Sequence, residues 1–331
     1  MKYKKINFIM DSNNNEGKGL VPTGKEKKKE KKYYGKLLIL IIFIVLSIEY
    51  YAYVFEVMLN VMTQKNFNLI LTLLVIYHIL ILLLLMAFIS TMSTNPGEIP
   101  LYWGFYIGDD DYKRKRYCLI CNAFKPERSH HCSVCNICVL NMDHHCPWVD
   151  NCIGFYNRKF FMQLLFFVVI LTIYVDISEI YFIFDMSMRL FKKQIKYSEI
   201  FHVGLAIICY LAVFIFSIII TMFFKFHIKL VLNNSTTIES LDVEHKKDND
   251  KFNIGARQNW EQVFGSEPLL WLIPIPTKRG RPDGDGLTWK TNENSTLDSN
   301  IKIDESTNKK YGSNYDTNYN SNNIPFSAAT K

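Results

Sequence analysis

The chain has 331 residues and a formal net charge of +7, and 49% of its residues are hydrophobic. This length suffices for a sizeable core, but the apolar residues come in long blocks, which argues against an ordinary soluble domain. Seven of the eight cysteines lie between Cys118 and Cys152 with interleaved histidines, a pattern that favours metal binding over a secreted disulfide framework.

The N-terminal segment, residues 1–36, is strongly basic. It holds eleven lysines, and most of them lie in the run "KEKKKEKK" at 25–32. We interpret this run as a solvated cytosolic segment that meets the negative cytoplasmic leaflet beside a membrane helix, in preference to a nucleic-acid-binding segment. The apolar stretch near the N-terminus is too short for a cleavable signal peptide, so we expect none.

Four apolar blocks are each long enough to span a bilayer, which needs about 20 mostly apolar residues. We therefore predict an all-α polytopic membrane protein with four transmembrane helices, the first two within residues 37–92 and the last two within residues 160–224. The blocks themselves cover residues 37–57, 69–91, 160–184 and 200–224.

The segments outside the spans divide into three parts. Residues 93–159 hold the cysteines and eight lysines and arginines, and the positive-inside rule places them and both termini in the cytosol, although four basic residues between the last two spans argue mildly against this. Residues 225–276 mix apolar and aromatic side chains and can pack. Residues 277–331 are Asn-rich and poor in large apolar side chains, so we predict a disordered tail.

The cysteine-rich segment contains more metal-ligand side chains than two zinc sites require. Its seven cysteines and four histidines make eleven candidates, whereas each structural zinc takes four, so two sites leave three over. Two CxxC pairs have the spacing of two-ligand knuckles, but spacing alone leaves the partition open. One partition assigns Cys118, Cys121, His131 and Cys138 to the first site, and Cys132, Cys135, His145 and Cys152 to the second.

The surplus in that partition is His130, His144 and Cys146. His144 and Cys146 lie two positions apart behind Asp143, which is the arrangement of a nucleophile, its base and an orienting carboxylate. A free thiol is only a few per cent thiolate near neutral pH, and an adjacent imidazole can take its proton. We interpret these three residues as catalytic. The alternative is that all of them are zinc ligands or idle.

The same segment resembles a known family. The runs "HHCSVCNIC" and "MDHHCPWVDNC" resemble the Asp-His-His-Cys (DHHC) family of protein S-acyltransferases, the palmitoyltransferases. The likeness extends to "GFYNRKFF" at Gly154–Phe161, "TTIE" at Thr236–Glu239 and "NIGARQNWEQVFG" at Asn253–Gly265. In "TNPG", Asn95 replaces the aspartate of the family's Asp-Pro-Gly motif, and this departure affects only that motif's local packing role.

The resemblance implies two structural zinc ions held by the partition given above, in a cytosolic domain between the second and third spans. It implies that Cys146 is the acyl-carrying nucleophile and that His144 and Asp143 activate it. Two further pairs of residues follow from the family. Trp148 and Phe161 would line the mouth of an acyl cavity, and Thr237 and Asn259 would brace the active site and the C-terminal segment.

The implied function is that of a protein S-palmitoyltransferase, which takes a fatty acyl group from acyl-CoA onto Cys146 and passes it to cysteines of membrane-associated proteins. A sixteen-carbon chain costs on the order of 10 kcal/mol to expose to water, at about 0.8 kcal/mol per CH₂, so a nucleophile at the membrane surface is expected. Basic residues should meet the CoA phosphates, unless they serve only as topogenic charge. The candidates are Lys113, Arg114, Lys115, Arg116, Arg158 and Lys159.

Three other functions compete with this interpretation. A membrane-anchored zinc scaffold predicts that Cys146 is dispensable. A four-span transporter needs acids along an aqueous path, and the spans offer Glu49, Asp176 and Glu179. A zinc-ribbon nucleic-acid binder fits worst, because the domain is fixed at a membrane face. The family's members suggest the Golgi or endoplasmic reticulum as the location, with the plasma membrane as the alternative.

Overall fold

The computed structural model describes residues 24–60, 62–100, 103–104, 116–192, 194, 200–242 and 250–292, and for residues 24–33 the backbone alone. Within these residues, four helices are long and apolar enough to cross a membrane. A small domain of three β-hairpins lies between the second and third of these helices in the chain. The predicted fold class is confirmed.

The membrane helices are longer than the apolar blocks that predicted them. The third contains 34 residues, a length of about 50 Å at 1.5 Å per residue, whereas the hydrocarbon core of a bilayer is about 30 Å thick. Hydropathy marks only the part of a helix that contacts lipid, so it missed these extensions. The helices are α1 (Gly24–Tyr51), which continues as a π-helix over Ala52–Met58, α2 (Phe67–Ser93), α3 (Arg158–Phe191) and α4 (Ile200–Leu232).

The bundle has an apolar exterior and a mixed interior. Large side chains such as Leu40, Leu82 and Ile219 are more than half exposed, as expected of surfaces that face lipid. Inside, α3 packs against both α2 and α4, and the buried core includes Tyr53 and Tyr77. The four helices therefore form one packed unit on which the cysteine-rich domain sits.

The cysteine-rich domain consists of three antiparallel hairpins, each of two short strands. Asn122, Asn136 and Asp150 close the turns with positive φ angles between 46° and 60°, a conformation that Asn and Asp tolerate best among residues with a Cβ. The strands pair in chain order, β1 with β2, β3 with β4 and β5 with β6. They are β1 (Tyr117–Cys118), β2 (Ala123–Phe124), β3 (His130–Cys132), β4 (Ile137–Val139), β5 (His144–Cys146) and β6 (Asn151–Ile153).

Two asparagines fasten the β5–β6 hairpin to the C-terminal end of α2. Asn151 Nδ2 donates to the carbonyls of Thr91, Met92 and Thr94, and Asn157 Nδ2 bridges the carbonyls of Thr91 and Cys152. These bonds satisfy carbonyls that the end of a helix leaves without partners. The hairpin is thereby fixed at the surface of the helical bundle.

Asn95 keeps the turn after α2 despite replacing the family's aspartate. Its Oδ1 accepts a hydrogen bond of 2.8 Å from the backbone N–H of Gly97, as an aspartate would, and its Nδ2 donates to Glu98. The local packing role placed in doubt by this departure is therefore retained.

The C-terminal segment packs against the cysteine-rich domain further along the chain than expected. The tail was expected to be disordered from residue 277, but residues 277–292 are described and make specific contacts: Gly280 accepts a hydrogen bond from Lys159, and the Trp289 ring contacts Phe155 and Phe252. The boundary at residue 276 is therefore wrong. The composition of residues 277–292 is mostly polar, and it does not reveal that one aromatic residue, Trp289, packs against other rings. Residues 293–331 lie outside the described part of the chain.

Candidate active site

Two groups of four ligand side chains converge in the cysteine-rich domain. Within each group, the sulfur and nitrogen atoms all lie within 4.8 Å of one another. Each joins two hairpins through a knuckle pair and a histidine Nδ1. The first group is Cys118, Cys121, His131 and Cys138, and the second is Cys132, Cys135, His145 and Cys152.

The geometry of both groups fits a tetrahedral metal ion. Zinc with sulfur at about 2.3 Å and nitrogen at about 2.0 Å places neighbouring ligand atoms about 3.5 Å apart. In the first group, Nδ1 of His131 lies 3.2–3.8 Å from the three sulfurs. In the second, Nδ1 of His145 lies 3.4 Å and 3.7 Å from two of them. All these cysteines are free, so the groups can hold metal ions, and a Cys₃His donor set suits zinc.

Strand geometry separates metal ligands from the remaining side chains in β5. Successive residues of a strand point to opposite faces. His145 therefore faces its cross-strand partner Cys152 and the second ligand group, while His144 and Cys146 face the other way. The pair left over in the ligand count shares one face of one strand.

Asp143 is fully buried and holds His144 in place. Its Oδ2 accepts hydrogen bonds of 2.7 Å from His144 Nδ1 and of 2.7 Å from the Thr237 hydroxyl. Its Oδ1 accepts one of 3.0 Å from the Thr237 backbone N–H and lies 3.4 Å from the Arg158 guanidinium. The carboxylate thus has donors on both oxygens, which fixes its position and that of the imidazole.

These contacts shift the pKa values of both groups. Burial raises the pKa of the Asp143 carboxyl, but the charge of Arg158 and the bond from His144 outweigh it, so this pKa lies well below its usual range. Burial disfavours protonated His144, but hydrogen bonds to Asp143 and to the Cys146 thiol prevail and raise its pKa to about 9. The site favours an imidazolium beside Asp143.

The Cys146 thiol lies in an apolar cluster to which all four membrane helices contribute. Phe161 and Leu165 of α3 and Phe88 of α2 are buried in this cluster. Partly buried side chains of α1 and α4, among them Ile42 and Ile220, complete it. A thiol at this point can react at the membrane surface while an attached alkyl chain stays among apolar side chains.

The "TTIE" run forms a capping box at the start of a short helix, α5 (Thr237–Leu241). The Thr236 hydroxyl accepts the N–H of Glu239, and the Glu239 carboxylate accepts the N–H of Thr236. This arrangement leaves Thr237 at the first helical position, where both its N–H and its hydroxyl reach Asp143.

Arg128 joins three parts of the chain behind the active site. Its guanidinium makes paired bonds of 2.7 Å and 2.8 Å to Glu239 and also donates to the side chain and carbonyl of Asn234. The guanidinium carbon lies 4.5 Å from the ring centroid of Phe252 and 4.4 Å from that of Trp289, and the two rings also contact each other. Positive charge, capping box and C-terminal segment thus form one buried contact, which we call the Arg128 clamp (Arg128, Asn234, Glu239, Phe252 and Trp289).

The CoA-contacting role expected of two basic residues does not fit their positions. Arg158 and Lys159 are only 2% and 1% exposed, and their head groups donate to the carbonyls of Ser235 and Gly280. Both side chains are buried at the start of α3, and their charged groups are occupied by these hydrogen bonds. Arg116 also donates to backbone carbonyls, of Lys125 and Pro126. Lys113, Arg114 and Lys115 lie outside the described residues.

The other expected site residues fall into two groups. Phe161 is buried beside Cys146, whereas Trp148, two residues from it, is 53% exposed. Asn259 lies in helix α6 (Ala256–Phe264), is fully buried, and donates to the Leu232 carbonyl at the end of α4. Asn259 thus holds α6 against the end of α4, and Thr237 holds Asp143, while neither residue touches Cys146 in the contacts described.

Sequence reasoning missed Arg128, Trp289 and His227 as parts of the site. Arg128 and Trp289 are single residues without a motif of their own, and only tertiary packing brings them together. His227 did carry a signal, since a histidine within an apolar helix is costly and so marks a functional position. It was overlooked because the fourth apolar block ended before it.

Comparisons with known proteins agree with this site. Residues 111–244 match the DHHC palmitoyltransferase family model. "Probable protein S-acyltransferase 13" of Arabidopsis thaliana is 32% identical over 245 residues, which cover 66% of this chain and 78% of that protein. "Palmitoyltransferase ZDHHC2" of Danio rerio is 32% identical over 286 residues, 75% of this chain and 74% of that protein.

A third relative, "Palmitoyltransferase ZDHHC20" of Bos taurus, is 39% identical over 183 residues, which cover 54% of this chain and 47% of that protein. The family expected from the motifs is confirmed by these likenesses. They extend beyond the cysteine-rich domain, since the matches to the first two relatives cover 66% and 75% of this chain. This chain therefore belongs to the DHHC palmitoyltransferase family.

Proposed function

We propose that this chain takes a long-chain acyl group from acyl-CoA onto Cys146 and passes it to cysteine thiols of membrane-associated proteins. Its family makes it an acyltransferase, and its reaction is protein S-palmitoylation. The observation that carries the residue assignment is that Cys146 and His144 share one face of β5. Asp143 orients the imidazole of His144, while His145 on the other face joins a ligand group.

Before the first step, the proton of the Cys146 thiol resides on His144 as an imidazolium, and in that step the Cys146 sulfur attacks the thioester carbonyl carbon. A new C–S bond forms, the bond to the CoA sulfur breaks, and the imidazolium returns its proton to the departing CoA thiolate. Asp143 remains ionised throughout and stabilises the imidazolium. Arg158 and Thr237 keep that carboxylate in place.

In the second step, a substrate cysteine gives its proton to His144 and attacks the acyl-enzyme, and Cys146 leaves and is reprotonated. Thioester replaces thioester, so the protein mainly positions groups and excludes water. The apolar cluster around Cys146 supports an acyl chain that remains between the helices. Substrates already near the membrane gain a second anchor, since one lipid chain alone binds weakly.

The two ligand groups would hold structural zinc ions that pin the hairpins in the absence of a large apolar core. We also propose that both termini and the cysteine-rich domain face the cytosol, where CoA thioesters are available, in the Golgi or endoplasmic reticulum. The excess of basic residues before the first span supports this orientation.

The test is acyl transfer by the full chain in detergent from an alkyne-bearing palmitoyl-CoA analogue. Wild type is compared with Cys146→Ser and with Cys209→Ser, a buried cysteine outside both ligand groups that serves as the matched control. We expect hydroxylamine-labile label on wild type and Cys209→Ser, none on Cys146→Ser, and about two zinc ions per chain in all three, as two tetrahedral sites require.

Label that persists in Cys146→Ser would move the nucleophile elsewhere. Loss of zinc from that variant would make Cys146 a metal ligand, and the enzyme assignment would fail with it. An unlabelled wild type that retains its zinc would support the zinc-scaffold alternative.

A further inference from the structure

His227 of α4 is a polar side chain buried in an aromatic cage. It is only 2% exposed. Its ring meets those of Phe223 and Phe226 at centroid distances of 4.6 Å and 5.3 Å, both nearly edge-on. A phenylalanine or leucine would fill such a cage without the cost of desolvating two ring nitrogens.

One of the two ring nitrogens has no hydrogen-bond partner among the described residues. Nδ1 of His227 is buried, and no described residue offers it a hydrogen-bond partner. A buried polar atom without a hydrogen-bond partner destabilises the folded state, so its presence in a packed site needs an explanation. A function that appears only when substrate is bound provides one.

The cage adjoins His144 and Phe161, two residues that lie close to Cys146 in sequence or in packing. The His227 ring contacts Phe161 at 5.0 Å and His144 at 5.9 Å, and those two rings contact each other at 5.2 Å. Phe161 in turn belongs to the apolar cluster around Cys146. The acyl carbonyl of a Cys146 thioester has to lie beside His144 and Phe161, and therefore near His227.

We propose that the Nδ1–H of His227 donates a hydrogen bond to the acyl carbonyl oxygen as Cys146 is acylated and deacylated. This inference rests on the proposed function. When sulfur adds to the carbonyl carbon, the C=O electron pair moves onto oxygen, and it returns when the thiolate leaves. A fixed donor in an apolar site stabilises that oxygen without any rearrangement. His227 takes no proton in either step, so it is distinct from His144.

The experiment compares wild type, His227→Phe and His227→Asn in single-turnover acylation with palmitoyl-CoA. Phenylalanine keeps the ring and removes the donor, whereas the asparagine amide places an N–H close to the position of Nδ1. We expect acylation to slow about 100-fold in His227→Phe, as for loss of one oxyanion donor, and to remain within about 10-fold of wild type in His227→Asn. His202→Phe, at the other end of α4, is the matched control with an unchanged rate.

A second readout separates hydrogen bonding from packing. Palmitoyl-CoA labelled with ¹³C at the carbonyl gives the acyl-enzyme an infrared band that rises in frequency when a hydrogen bond to the oxygen is lost. We expect a higher frequency in His227→Phe than in wild type. This reading needs only the fraction of a variant that folds and becomes acylated, and zinc content and thermal unfolding report that fraction.

The proposal is overturned if His227→Phe acylates at the wild-type rate, if a folded His227→Asn is as slow as His227→Phe, or if the carbonyl band does not move. Failure of the proposed function looks different, because wild type itself would then not be acylated on Cys146. If wild type is acylated on Cys146 and His227→Phe is equally active, the proposed hydrogen bond from His227 is wrong, but the proposed function stands.

Discussion

Two strands of the cysteine-rich domain carry the same tripeptide and do different things. Both β3 and β5 read His-His-Cys, both pair antiparallel with the next strand, and in both the second histidine sits opposite a cysteine of its own ligand group. Yet Cys132, the cysteine that ends β3, belongs to a group that can hold a metal ion, whereas Cys146 at the end of β5 belongs to neither group.

The difference comes from the neighbours of the tripeptide. Ser129 precedes β3, whereas Asp143 precedes β5 and binds His144. Burial and then the charge of Arg116 lower the pKa of His130, while the partners of His144 raise its pKa to about 9. On the proposed function, the same three residues would therefore serve a metal site or a catalytic one according to the carboxylate before them and the surface that they face.

The largest effect on acylation is expected when the residue before β5 is changed from aspartate to serine, the residue that precedes β3. Asp143→Ser removes the carboxylate that orients and charges His144, so we expect single-turnover acylation of Cys146 to fall by about 10³–10⁴-fold, as for the orienting aspartate of a catalytic triad. About two zinc ions should remain, because Asp143 belongs to neither ligand group.

The matched control is Asp150→Asn, in the turn of the same hairpin, where asparagine tolerates the positive φ. Its rate should stay close to that of wild type. Equal losses in the two variants would mean that negative charge anywhere in the hairpin matters, and the distinction between β3 and β5 would lose its basis.

The pH dependence of acylation tests the same comparison. The imidazolium of His144 protonates the leaving CoA sulfur, so acylation should decline as pH rises through about 9. In Asp143→Asn the anion that stabilises the imidazolium is gone, the pKa of His144 falls, and the alkaline decline moves to lower pH. Each variant's rates, normalised to its own maximum between about pH 6 and pH 10, measure the shift. A decline that stays in place would assign it to another group.

The sequence predicted the parts of this site that depend on spacing along the chain. CxxC spacing is local, so two groups of four ligands with His144 and Cys146 left over could be proposed from the sequence, although spacing alone left the partition open and did not place His144 and Cys146 on one face of a strand. Helix type and number followed from apolar length, although the ends of α3 and α4 did not, because polar helix ends that leave the membrane carry no hydropathy signal.

What sequence could not give is the set of contacts across long separations. Arg158 was predicted to contact CoA because a basic residue near a membrane is usually exposed. In the structure its guanidinium is buried, where it lies near Asp143 and donates to the Ser235 carbonyl. The Arg128 clamp joins Arg128 to residues that lie 106 or more positions further along the chain, and no periodic pattern encodes such contacts. Such contacts depend on packing of the finished fold, which is why the C-terminal boundary was also placed too early.

A smaller effect is expected at the Arg128 clamp, which supports β5 from behind. Trp289→Ala removes one of the two rings stacked on Arg128, so we expect the free energy of unfolding to fall by about 1–2 kcal/mol and acylation to fall only a few-fold. Trp289→Phe keeps a ring and should lose less. Thermal unfolding of the full chain in detergent measures the order wild type, Phe, Ala. Identical unfolding of all three would show that residues 277–292 do not stabilise the site.

The smallest effect is expected at the first histidine of β3, the counterpart of His144. His130→Gln removes an imidazole that has no carboxylate before it and belongs to neither ligand group, so acylation should stay within about twofold and both zinc ions should remain. His144→Gln is the matched variant and should lose nearly all activity with the same zinc content. If the two substitutions cost the same, the imidazoles would act through the fold of their hairpins and not through Cys146. A large difference would show that one aspartate, placed before an otherwise repeated strand, turns a zinc-binding hairpin into an acyl-transfer site.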